Sequence, residues 1–87
     1  MSKVYNVIST TWVEDGLRRT SYSEHYALEA TRLPMGEARE LANELIDKWV
    51  APEKGSYNRF DNGLRLGAYV EKFPKAWGIR VDIQATL

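Results

Sequence analysis

Eighty-seven residues with 44% hydrophobic and 11% aromatic content can build one small core and not two. A domain of this size covers about 60–65% of the surface its unfolded chain exposes. Twelve basic and twelve acidic residues cancel to zero formal charge, which counts against the basic excess that most nucleic-acid binders show and gives no support to a membrane-surface role.

No cysteine is present, which excludes a disulfide framework and thiolate zinc sites and fits a reducing compartment. The opening MSKVYNV lacks the apolar run of a signal peptide, and no stretch approaches the roughly 20 apolar residues that cross a bilayer. The expectation is a cytoplasmic protein with no cofactor motif and no membrane partner.

Lys3 to Val13 is rich in β-branched and aromatic residues and predicts a strand. Glu14-Asp15-Gly16 predicts a hairpin connection, with the returning strand starting at Leu17. Residues 21–33 carry two patterns. Ser21-x-x-Glu24 has the form of a capping box, which would open a helix. Tyr22, Tyr26, Leu28 and Ala30 also share one side of a strand, and a long, bulged strand is the preferred reading. With Val13 paired to Leu17, Val4, Ile8 and Trp12 would join Tyr22 and Tyr26 on the side that meets the helix. Tyr5, Thr11, Arg19 and His25 would then face away from it.

The stretch Leu33 to Val50 is the strongest signal in the chain. Ala38, Leu41, Ala42, Leu45, Ile46, Trp49 and Val50 recur at steps of three and four, the mark of one helical face. Pro34 pre-sets its first turn and Ala51-Pro52 is expected to stop it. Tyr57 to Phe60 suggests a short strand before an Asn62-Gly63 turn. Leu64 to Val70 and Ile79 to Leu87 alternate apolar and polar residues, as half-buried strands do. Glu71 to Gly78 would connect them. The reading is an α+β fold: a single domain over 1–87, order β-β-α-β-β, with an antiparallel sheet and one amphipathic helix packed on one face.

Chemistry finds little to stand on. His25 is the sole histidine, and Glu24 beside it on a strand would point to the opposite face. A small hydrolase or nuclease centred on His25 is the least favoured reading. Glu37, Glu40, Glu44 and Asp47 share a helix face with Arg39 and Lys48, which suits a solvated surface better than a metal site. No glycine-rich phosphate loop occurs. Catalytic, cofactor and metal residues are therefore expected to be absent.

Surface residues carry the functional expectation. Tyr5, Arg19, His25, Arg65, Tyr69 and Arg80 should share the open sheet face, where Arg and Tyr favour interface contacts. Tyr57 and Trp77 are further candidates from two separate loops. This profile predicts a non-enzymatic protein-binding module acting by steric occupation. The analogy of size and style is to phage or mobile-element proteins that inhibit a host nucleoprotein or defence complex. The alternative is a nucleic-acid-binding domain using the same Arg/Tyr face. A homodimer is also open, because the last strand has neither lysine nor proline to block pairing if it lies at an edge.

Overall fold

Ala38, Ala42, Ile46 and Val50 recur every four residues and are all buried, so they define the contact stripe of helix α1, Met35–Val50. Two alanines in that stripe let the helix axis approach the sheet closely, while Leu41, Leu45 and Trp49 pack at its flanks. The sheet beneath has five antiparallel strands: β1 Val4–Asp15, β2 Thr20–Leu33, β3 Asn58–Asp61, β4 Arg65–Val70 and β5 Lys75–Thr86. Their spatial order is β2-β1-β5-β4-β3. This computed structural model describes residues 3–15, 20–55, 57–71 and 75–86, with backbone alone for 15 and 20–24. It shows the α+β class and the β-β-α-β-β order that the sequence patterning predicts, with the short β3 suggested by Tyr57 to Phe60 as a fifth strand between α1 and β4.

The core lies between α1 and one sheet face. Val7 of β1, Leu66 and Ala68 of β4, and Ile79, Val81 and Ile83 of β5 meet the helix stripe there. Their shared face follows from register, because directly paired residues in an antiparallel ladder point the same way. Val7 pairs with Ile83, Ser9 with Val81 and Thr11 with Ile79.

That register reverses one expectation. Tyr5, Val7, Ser9 and Thr11 lie on the helix side, and Ile8, Thr10 and Trp12 lie on the open side. Weighing apolar content within β1 and β2 alone favoured the opposite choice. The central strand β5 decides it, since its apolar set is continuous with Val7. The hairpin register differs as well: Val13 pairs with Tyr22 rather than Leu17, and Asp15 with Thr20. Residues 21–33 form strand rather than helix, with three register shifts along the β1–β2 ladder.

Other boundaries move modestly. α1 ends at Val50, directly before Ala51-Pro52 as expected, and a 3-10 turn, Ala51–Glu53, follows it. Lys54 (φ 51°) and Gly55 (φ 91°) in left-handed conformation close that turn. β5 begins at Lys75, so Trp77 is a strand residue and not a loop residue. β5 also lies in the middle of the sheet, which removes it as an edge for dimerisation; the edges are β2 and β3.

β3 is short, and the helix holds it by side chains. Arg59 donates to Asp47 (2.5 Å) and to Asn43 (2.7 Å) of α1. Arg39 of α1 reaches Asp61 in a forked ion pair and donates to the Gly63 carbonyl at 2.7 Å. Gly63 takes φ 99° in the β3–β4 turn, a conformation that suits glycine, while Asp61 accepts its N–H at 2.8 Å. The arginine fork and this backbone N–H hold the Asp61 carboxyl below its ordinary pKa.

Candidate functional site

With α1 on one side, no described element covers the opposite sheet face, and its composition is uneven. Thr10 is 4% exposed on this face, between Tyr26 of β2 and Arg80 of β5 in the ladder. Ile8 and Trp12 of β1 and Tyr26 and Leu28 of β2 share the face near it, and Tyr69 of β4 and Phe60 of β3 lie on the same face toward the other edge of the sheet. Tyr26, Leu28 and Phe60 are 67%, 61% and 41% exposed. These three large side chains contribute apolar surface that the fold itself does not cover.

Two glycines shape the platform. Gly78 of β5 pairs with Trp12, and the Trp12 ring lies over it where a side chain would otherwise stand. Gly67 of β4 pairs with Phe60 and gives its ring the same room. Both aromatic rings therefore lie flat against neighbouring backbone rather than projecting from the sheet.

Polar contacts fix the rest. Trp12 Nε1 donates to Glu14 Oε1 at 3.1 Å, and Tyr69 Oη donates to Glu14 Oε2 at 3.5 Å. Removal from water and the neighbouring Glu14 and Glu71 charges raise the Tyr69 phenol above its ordinary pKa. Asp82 receives two arginines of the face: Arg65 Nε at 2.7 Å and Arg80 Nε at 3.0 Å. The face thus presents fixed guanidinium planes whose charge is partly balanced by a carboxylate among them.

The structure divides the candidate residues into groups. Arg65, Tyr69 and Arg80 come together on the open face, as expected. Tyr5 lies on the other side and packs against the core, as does Tyr57. His25 pairs with Thr11 on the helix side and borders a cavity of about 400 Å³ with Trp49, Pro52, Glu53 and Trp77. Trp77 stands edge-on to Trp49, ring centroids 6.3 Å apart. Arg19 lies outside the described residues. Phe60 covers Gly67 on the open face.

Trp12, Ile8, Tyr26, Leu28 and Phe60 were not expected on this surface. For Ile8, Trp12, Tyr26 and Leu28 the signal is an apolar stripe along β1 and β2 that local pattern alone points toward the core, while Phe60 stands apart on β3. Elsewhere, Ser9 Oγ donates to Glu29 Oε1 at 2.7 Å. Among the described residues, no group of three His, Asp or Glu side chains could hold a metal ion, and no helix is long and apolar enough to cross a membrane. Comparison with family models, with curated proteins and with solved structures gives no significant match.

Proposed function

We propose that this chain is a non-enzymatic binding protein that docks its uncovered sheet face on another protein and acts by occupying that surface. One observation carries the reading: Tyr26, Leu28 and Phe60, large exposed side chains, share the face that no described helix covers. Trp12 and Tyr69, bound to Glu14, and Arg65 and Arg80, bound to Asp82, supply a rigid aromatic and guanidinium surround. Interfaces favour these residue types because they offer large contact area at low entropic cost.

Nucleic acid is the less supported occupant of the same face. Phosphate binding needs cations available for ion release, and Asp82 already engages both Arg65 and Arg80. This reading assigns no catalytic role to His25.

The test is affinity capture from the native host's lysate, with and without nuclease, using the wild type and a variant with Tyr26, Leu28 and Phe60 all changed to serine. All three side chains are exposed, so the variant should keep its circular dichroism spectrum. The expected result is a stoichiometric protein partner that survives nuclease and moderate salt and is lost with the variant. Capture abolished by nuclease, or retained by the variant, would overturn the assignment.

A further inference from the structure

The two edges of the sheet are unlike. β3 is four residues long and is held to the helix by Arg59 and Asp61, whereas β2 is a fourteen-residue strand with its outer side unpaired by any described strand. An open edge offers backbone N–H and C=O groups to an incoming strand, and natural proteins usually block one with lysine or proline. Neither residue occurs in 20–33, and His25 to Glu29 are all exposed.

We propose that β2 pairs antiparallel with β2 of a second copy of this chain, about a two-fold axis at Ala27. The sequence around that point is self-complementary. Tyr26 falls opposite Leu28 of the second copy on the open face, and His25 falls opposite its Glu29 on the helix side. Symmetry makes each pairing twice. A two-fold axis at Leu28 would set Ala27 against Glu29, and one at Tyr26 would set His25 against Ala27. Both shifts lose the hydrogen-bonding match of His25 to Glu29 and the apolar match. Glu29 has a second carboxylate oxygen available while Oε1 accepts from Ser9.

The ladder is short. Leu28 pairs with Ile8 and Ala30 with Val7, so a bulge at Glu29 ends the regular strand there. Five pairings remain, a contact of about 17 Å. Association is accordingly weak, and it requires high micromolar protein to be populated.

Because the chain has no cysteine, a single introduced thiol reports the register directly. Ala27→Cys places two thiols across the axis, where facing strand residues have Cα atoms roughly 4.5–5.5 Å apart, within disulfide reach. Under mild oxidation at high micromolar concentration, Ala27→Cys should cross-link and Thr31→Cys should not. A second measurement does not use thiols. Sedimentation should show wild-type dimer, loss of dimer in His25→Glu, and heterodimer when His25→Glu is mixed with Glu29→Lys. In that mixture each His25→Glu carboxylate meets the lysine of the other variant. Wild type that stays monomeric at high micromolar concentration would overturn the proposal. So would equal cross-linking through Ala27→Cys and Thr31→Cys, or a mixture with no heterodimer. His25, Ala27 and Glu29 lie on the helix side, so these variants leave the open face unchanged, whereas the triple serine variant also removes the Tyr26–Leu28 pairs of the seam and does not by itself test the dimer.

Discussion

The contact between Trp12 and Gly78 can be measured as a coupling energy. A Cβ placed on Gly78 would lie 2.6 Å from Trp12 Cη2 and 2.8 Å from Cε2, and closer still to Cζ2. Gly78→Ala must therefore lift the indole from the sheet, straining its bond to Glu14. Inserting a methyl into such a space costs about 1–3 kcal/mol. The loss of unfolded-state freedom offsets about 0.4–1 kcal/mol of that. A net destabilisation of about 0–2.6 kcal/mol remains, and each kilocalorie should lower Tm by about 4–8 °C in a domain of this size. In a Trp12→Ala background the closest obstruction is gone, since the three atoms nearest that Cβ all belong to Trp12. There Gly78→Ala should be neutral or stabilising. Thermal and urea unfolding of the four proteins gives the coupling directly, with about 1–3 kcal/mol expected. A coupling within about 0.5 kcal/mol of zero would refute the packing argument. Gly67 supplies the contrast: its Cβ would meet the Ile79 carbonyl oxygen as well as the Phe60 ring, so Phe60→Ala should rescue Gly67→Ala only in part.

Three further outcomes follow from the packing and the ionisable groups. Ile46 is fully buried at the centre of the helix stripe, so Ile46→Ala should cost about 2–5 kcal/mol by urea unfolding. The Asp61 carboxyl is held below its ordinary value of 3.8 by Arg39 and the Gly63 N–H, so its contribution is present above that pH and lost as pH falls through the lowered folded value. The Tm gap between wild type and Asp61→Asn should therefore close in strong acid, and a gap unchanged at low pH would contradict the assignment. The Tyr69 phenol is raised above 10.0 by desolvation first and by Glu14 and Glu71 next. Its contribution is complete below that ordinary value and lost as pH rises through the raised one. The phenolate absorbance missing from Tyr69→Phe should accordingly appear later than that of a free tyrosine.

The elements were legible where a single period ran long enough to exclude the other. Helix α1 shows one apolar face through four turns, and β4 and β5 alternate cleanly, so their type and order could be read directly. What local pattern could not decide was which side of β1 faces inward. Both sides of Tyr5 to Val13 carry apolar residues, and the choice depends on β5, more than sixty residues away and paired along the whole of β1. The bulges in β2 obscured its period for the same reason: each extra residue is defined by a partner the sequence does not show. The candidate site suffered accordingly. Arg65, Tyr69 and Arg80 were placed correctly because β4 and β5 were, while Tyr5 and His25 were placed on the wrong face with β1 and β2.

The asymmetry of the edges bears on how the open face would work. Self-pairing through β2 would join two five-stranded sheets into one surface, with the Tyr26 and Leu28 pairs at the seam. A partner that presents paired or closely spaced sites would then meet two copies at once, and retention would exceed single-site affinity by about 10²–10⁴-fold when geometry permits. His25→Glu separates the two effects, because His25 lies on the helix side and leaves the open face untouched. On a sparsely loaded partner surface the variant and the wild type should dissociate alike. On a densely loaded one the wild type should be retained far longer at high protein concentration. Equal retention at both densities would mean that the β2 edge contributes nothing to partner binding, whatever it does between copies of the chain.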